Sequence, residues 1–437
     1  MKLSLYVHLF EKGTDYYLYN SQTGLLTTIA RPIYKALYNR DFGSLPEEAI
    51  KALKEKTIIV DDHFLYDYYE KKRLSHFSSI GAQDSLNLVI APTTGCNFAC
   101  PYCFEGEKKD QRMTPEIINE LISFINGYHQ AKKLLITWYG GEPLTAFNVM
   151  QEIVSKIKNC CKIELASQSM ITNGYLINAE VIDFIRSNRF ESIQISLDGV
   201  KEHHNQTRCL KGNKRPTYDQ ILANVDKLAM EISGQTRINI RVNINKENED
   251  DFHIMYKYLH ERYAGKDVSV YPGFIREEGK GNGCMCYDSL FGKARFEFYK
   301  KIEEQGLNVD FFPKKEKKGC MTCHNNSLII GPEGEIYKCW NDFNNPEKIV
   351  GYIKDRKITN PSLISQYNYD ATIYNDSKCK DCKVFPICDG GCGWMRHQNM
   401  FQGKSYDLCT YLSDDSRLEE CLLKKPSSKK EWPIRAI

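Results

Sequence analysis

The chain has 437 residues, 42% of them hydrophobic, with a formal net charge of +3. Such near-balanced charge gives no reason to expect a nucleic-acid partner, and no apolar run reaches the roughly 18 to 20 residues that a membrane helix needs. The length predicts two or three domains. The start Met1-Lys2-Leu3-Ser4 lacks the apolar stretch of a secretory signal, so a soluble, cytoplasmic protein is expected.

Residues 1–78 read as a small strands-then-helices module. Two β-prone runs, 3–9 and 16–19, flank a turn at residues 11–15, and a further turn at 20–24 leads into 25–29. Ser44-Leu45-Pro46-Glu47 has capping-box spacing and should open a helix over 49–54. A charged, aromatic linker is expected around 67–72.

From residue 85 to about 275, strand and helix patterns alternate. Strands are expected at 86–91, 134–139, 165–172, 192–198, 237–245 and 268–274. Amphipathic helices between them include one starting at Thr114-Pro115-Glu116, with Ile117, Ile118, Leu121, Ile122 and Ile125 on one stripe. Another starts at Tyr218, with Ile221, Leu222, Val225 and Leu228. Repeated βα units predict a parallel sheet with right-handed crossovers, and six of them suffice for an open barrel. In 237–245, Ile238, Ile240, Val242 and Ile244 alternate with Asn239, Arg241, Asn243 and Asn245. Parallel strands packed apolar on both faces would not alternate. Either helices cover the apolar face and the polar face lines an interior that holds a polar ligand, or the sheet is half exposed.

Seventeen cysteines are the anomaly. In a reducing compartment, dense cysteine indicates metal ligation or thiol chemistry rather than disulfides. Cys96, Cys100 and Cys103 fall in the loop after the first barrel strand, at the end where βα folds carry their functional groups. Three thiolates there can hold three irons of a [4Fe–4S] cube and leave one iron open. A structural zinc site would want a fourth ligand, and none stands nearby.

CxxxCxxC in this place resembles the radical S-adenosylmethionine (SAM) superfamily. Gly140-Gly141-Glu142-Pro143 is similar to the family's GGEP motif for the amino group of the cofactor's methionine part. Asn173 in Thr172-Asn173-Gly174, and Ser196 and Asp198 in Ser196-Leu197-Asp198-Gly199, stand where the family surrounds the ribose and methionine carboxylate. The resemblance places Arg208 near that carboxylate and Tyr102 or Phe104 near the adenine. It implies reductive cleavage of S-adenosylmethionine to methionine and a 5′-deoxyadenosyl radical, which takes a hydrogen atom from an unactivated C–H.

A second group, Cys379-x2-Cys382-x5-Cys388-x3-Cys392 followed by Cys409, lies downstream of Cys320, Cys323 and Cys339. It resembles the SPASM extension, which holds two auxiliary [4Fe–4S] clusters and makes three in all. The resemblance implies a distal cluster on Cys379, Cys382, Cys388 and Cys409. The proximal one would take Cys339 and Cys392 with Cys320, Cys323 or both. Four cysteines would make it an electron conduit, and three would leave an iron for a substrate thiolate. Cys284 and Cys286 stay as candidates for redox or substrate contact.

The expected fold is therefore α/β: a partial (β/α)6 radical SAM barrel at 79–290, a winged-helix-like α+β module at 1–78, a SPASM iron–sulfur domain at 291–425 and a tail at 426–437. Enzymes of this kind act on peptides and proteins. One reading is a maturase of ribosomally made peptides that forms thioether or carbon–carbon crosslinks, with the N-terminal module holding the precursor's leader as an added strand. Another is a sulfatase maturase that makes formylglycine. A third, outside enzymology, is a zinc-bound interaction scaffold. Either enzyme implies a flavodoxin or ferredoxin-type electron donor, and no motif identifies a general base.

Overall fold

The computed structural model describes residues 1–103, 110–275, 293–310, 319–388, 390–424 and 434–435. Phe104, Cys284 and Cys286 lie outside the described residues. The chain folds as two compact units. One comprises Met1–Ile80, Phe291–Cys320 and Tyr369–Ile437, and the other Gly81–Leu290 and Met321–Asn368.

The first unit opens with β1 (Lys2–Leu3), β2 (Val7–Lys12), β3 (Asp15–Asn20) and β4 (Leu25–Ile29). β2, β3 and β4 form an antiparallel meander, while β1 pairs with β5 (Ile59–Val60). The expected run 3–9 is thus broken, because the Ser4 amide turns to the Ile58 carbonyl at 2.9 Å. The β2–β3 turn is tighter than the 11–15 expected. Glu11 and Lys12 pair with Tyr16 and Asp15, and Gly13 adopts φ +62°, which glycine reaches at no steric cost.

Helices α1 (Arg31–Asn39), α2 (Glu47–Glu55) and α3 (Asp67–Ile80) follow. The expected capping box does not form. Pro46 is the N-cap of α2, and the Ser44 hydroxyl donates instead to the Asp41 carbonyl at 2.9 Å, closing the preceding turn. Val7, Leu18, Leu37, Phe42, Leu53 and Ile59 make the core of this part. Residues 67–72 are no linker but the first half of α3. Tyr69 packs against Phe385 at 5.1 Å between ring centroids and donates its hydroxyl to the Tyr374 carbonyl at 2.9 Å. Packing partners some 300 residues away supply the stability that the local pattern does not announce.

In the second unit, β6 (Ser85–Ile90), β7 (Lys133–Trp138), β8 (Glu164–Thr172), β9 (Phe190–Leu197), β10 (Arg237–Ile244) and β11 (Val268–Phe274) lie parallel and in sequence order. Between them run α4 (Pro115–Asn126), α5 (Phe147–Cys160), α6 (Ala179–Ser187), α7 (Lys201–Thr207), α8 (Tyr218–Ile232) and α9 (Asp251–Arg262). α4 starts as read: Pro115 is in its first turn and the Thr114 hydroxyl accepts from the Ile117 amide at 3.4 Å. Ile238, Ile240, Val242 and Ile244 of β10 are fully buried. The opposite, polar face is cross-linked between strands: Ser269 donates to Asn239 at 2.6 Å and Tyr271 to Gln194 at 2.5 Å.

The sheet does not begin at β6. Downstream of α10 (Lys293–Glu304) and β12 (Val309–Asp310), which belong to the first unit, β13 (Ser327–Ile330) adds parallel to β6. β14 (Glu335–Tyr337), β15 (Gly351–Tyr352) and β16 (Lys357–Ile358) continue it antiparallel, giving ten strands in an α/β architecture. Among the described residues no helix is long and apolar enough to cross a membrane.

Candidate active site

The loop after β6 is stitched to its surroundings by backbone hydrogen bonds. The Gly141 amide donates to the Thr93 carbonyl at 3.2 Å and the Glu142 amide to the Gly95 carbonyl at 2.9 Å. A Cβ on Gly141 would stand 2.2 Å from the Gly95 oxygen, and one on Gly140 would stand 2.3 Å from the Thr93 oxygen. The paired glycines after β7 therefore let two loop backbones touch. Further on, the Ala99 amide donates to the Cys209 carbonyl and the Lys211 amide to the Asn97 carbonyl, so residues 97–99 are paired with 209–211.

Pro143 is buried beside Glu142. Glu142 is 1% exposed, and its carboxylate accepts from Thr172 Oγ1 at 2.7 Å, the Asn173 amide at 2.6 Å and the Leu144 amide at 3.1 Å. Burial raises its pKa, and those three bonds oppose the rise. The side chain thus ties the turn after β7 to the end of β8. Asn173 in turn donates to Asn97 Oδ1 at 2.8 Å.

Asp198, at the end of β9, is the hub of a second network. It accepts from the Tyr102 hydroxyl at 2.5 Å, Thr207 Oγ1 at 2.7 Å and Asn243 Nδ2 at 3.0 Å. Arg208 donates to the Tyr102 oxygen at 3.0 Å, lies 3.8 Å from Asp198 and stacks over the Phe98 ring. Burial works against the Arg208 charge, but Tyr102, Cys100 and Asp198 outweigh it and its pKa rises. Burial, with Asp198 next, pushes the Tyr102 hydroxyl up, so it stays a donor. Ser196 is half-buried in β9 opposite Arg241 of β10 and belongs to neither network as described.

Beside these groups, Cys96 and Cys103 lie within electrostatic reach of Cys100. Burial, opposed by Arg208 and reinforced by Asp198, Cys96 and Cys103, pushes the Cys100 thiol up to about 12. A bare thiolate is costly there, and a bound metal centre removes that cost by deprotonating the thiol outright. The Phe98 amide donates to Cys96 Sγ at 3.4 Å. Among the described residues, Asn97 Nδ2 and Arg208 Nε are buried donors without a partner. Three cysteines of one short loop, with these two donors beside them, have the chemistry of an iron–sulfur site that takes an anionic ligand group.

Residues 90–259 match the Radical SAM superfamily. The chain carries a radical SAM domain. The protein is thereby an enzyme, and such a domain implies a [4Fe–4S] cluster and S-adenosylmethionine. A cysteine-type anaerobic sulfatase-maturating enzyme from Clostridium novyi (strain NT) is 24% identical, covering 74% of this chain and 92% of that one. Radical SAM cyclopropyl synthase TigE from Paramaledivibacter caminithermalis is also 24% identical, covering 89% of both. Among solved structures, Streptococcus suis SuiB bound to precursor peptide SuiA shares the fold with a TM-score of 0.50 at 14% identity, covering 95% of this chain and 99% of that one.

The radical SAM domain contains only some of the cysteines singled out. In the first unit Cys388 lies within electrostatic reach of Cys379, Cys382 and Cys409. Burial, then Asp376, pushes Cys379 up to about 12, and burial likewise raises Cys382 and Cys409. Cys320 and Cys392 belong to the same unit, Cys323 and Cys339 to the other. The sequence reading did not single out Asn97, Thr207 or Asn243 as site residues. Asn97 carried a signal in its place inside the cysteine loop, and Asn243 in its place on the polar face of 237–245.

Proposed function

We propose that this radical SAM enzyme is a SPASM-type maturase that abstracts hydrogen from a residue of a ribosomally synthesised precursor peptide and forms a thioether or carbon–carbon crosslink. The observation that carries the reading is the first unit. The meander β2–β4, whose outer strands have no further strand partner among the described residues, belongs to the same unit as Cys379, Cys382, Cys388 and Cys409. TigE aligns over more of this chain than the sulfatase maturase does, and SuiB is bound to a precursor peptide.

Cys96, Cys100 and Cys103 would hold the cluster that takes S-adenosylmethionine. When bound, these groups supply a 5′-deoxyadenosyl radical able to remove hydrogen from an unactivated C–H. Arg208 and Asn97 would donate to the cofactor's carboxylate, and the close-packed Gly140 and Gly141 would let backbone carbonyls face its ammonium. Glu142 and Pro143 act as positioning residues. Asn173, Ser196 and Asp198 would face the ribose, with Tyr102 or Phe104 beside the adenine. The hydrogen bond from the Tyr102 hydroxyl to Asp198 would hold that side chain in place against the cofactor.

Two auxiliary [4Fe–4S] clusters are proposed to take up the electron left on the substrate. One rests on Cys379, Cys382, Cys388 and Cys409, the other on Cys339 and Cys392 with Cys320, Cys323 or both. A flavodoxin or ferredoxin-type protein would supply the reducing electron. In domain terms, residues 1–78 would bind the leader, 79–290 form the radical SAM barrel and 291–425 the auxiliary-cluster domain.

The sulfatase-maturase reading has its own support in the Clostridium novyi relative. Mass spectrometry separates the two. The anaerobic, reduced enzyme is incubated with S-adenosylmethionine and either a leader-bearing precursor peptide or a sulfatase-derived cysteine peptide. Loss of two hydrogens from the precursor supports crosslinking. Conversion of cysteine to an aldehyde, with the precursor untouched, overturns it.

A further inference from the structure

Tyr6 carries a hydroxyl that nothing among the described residues meets. The residue is 2% exposed, and its oxygen is buried with no hydrogen-bond partner. Buried hydroxyls are almost always paired, and an orphan keeps its full desolvation penalty, so each one calls for an explanation.

Its surroundings suggest one. Tyr6 lies between β1 and β2 and packs with Tyr69 and Phe385 in a cluster flanked by Cys379 and Cys382. Its oxygen is within electrostatic reach of the Cys382 thiol. Tyr68 holds the ring edge-on at 5.3 Å between centroids. The backbone is pinned as well. The Ser21 amide donates to the Tyr6 carbonyl at 2.9 Å, and the Ser21 hydroxyl donates to the carbonyl of Lys383, next to Cys382, at 2.5 Å. A rigid donor in an apolar wall thus stands beside two of the four cysteines, Cys379 and Cys382.

We propose that Tyr6, from the N-terminal module, donates its hydroxyl to a sulfur of the iron–sulfur cluster held by Cys379, Cys382, Cys388 and Cys409 and so raises that cluster's reduction potential. This rests on the auxiliary-cluster reading above. The reasoning is electrostatic: reduction adds negative charge to the cluster, and a hydrogen bond to one of its sulfurs favours the more negative state. The module then has a part in redox tuning besides any part in peptide recognition. Deleting residues 1–78 would remove both together, so loss of turnover in such a truncation cannot be ascribed to leader binding alone.

Tyr6→Phe removes the oxygen and keeps the ring. Full-length wild type, Tyr6→Phe, Tyr69→Phe and Cys379→Ala are reconstituted anaerobically, assayed for iron per chain and titrated potentiometrically with electron paramagnetic resonance readout. Tyr6→Phe is expected to keep the wild-type iron content and to lower the midpoint potential of one auxiliary cluster, leaving the cluster at Cys96, Cys100 and Cys103 unmoved. Tyr69→Phe loses a hydroxyl already spent on Tyr374 and is expected to shift nothing. An unchanged potential in Tyr6→Phe overturns the proposal, as does an equal shift in Tyr69→Phe. Wild-type iron content in Cys379→Ala would instead bring down the auxiliary-cluster reading, and this inference with it.

Discussion

Asn97 stands next to Cys96, accepts at its oxygen from Asn173 and keeps its own amide buried without an acceptor among the described residues. Asn97→Ala removes both functions while leaving the cysteines in place. It is expected to weaken S-adenosylmethionine binding about tenfold, the equivalent of about 1.4 kcal/mol, measured by equilibrium dialysis on reconstituted enzyme. Glu142 offers a sharper case, because its two oxygens accept three donors. Glu142→Gln keeps the shape but turns a donor toward donors, and should cost about 1–3 kcal/mol of stability by chemical denaturation. The cysteines and the Gly140–Pro143 run were legible because spacing alone encodes their chemistry. Asn243 was legible only as part of a polar strand face, and its bond to Asp198 was not, since that partner lies 45 residues away and only strand register brings the two together.

The two loops that press together after β6 and β7 make a testable unit. Gly141→Ala would drive a methyl into the Gly95 and Thr94 carbonyl oxygens, which are backbone atoms and cannot rotate away. The loop carrying Cys96 must then move, and overpacking of this kind costs about 1–3 kcal/mol. The expected result is a lower melting temperature together with fewer irons retained per chain. Helix α3 depends on tertiary packing in the same way. Tyr69→Ala empties a site lined by Phe385 and Tyr374 and should cost about 3–5 kcal/mol in a urea titration. The six strands β6–β11 were legible from their alternation. β13 was not, because four buried residues joining an edge formed some 240 positions earlier leave no periodicity to read. α3 was hidden for a related reason, since its aromatics looked like an exposed linker until their partners were placed.

The chain as a whole should be brown when purified anaerobically and hold about twelve irons if it carries three cubes. Replacing Cys96, Cys100 and Cys103 together by alanine should remove about four of them, with the remainder still visible by absorbance and iron assay. Retention of all the iron in that variant would refute the assignment of the first cluster. The order of cysteines, the glycine pair and the βα alternation made a radical SAM domain legible from sequence alone, because cluster ligation and strand periodicity are set by short-range spacing. Only the tertiary structure decided what surrounds those motifs: the unspent donors of Asn97 and Arg208, the extension of the sheet by β13, and the approach of Tyr6 to Cys382. Each of these depends on residues far apart in the chain being buried against one another, and burial is a property of the folded whole that local spacing does not carry.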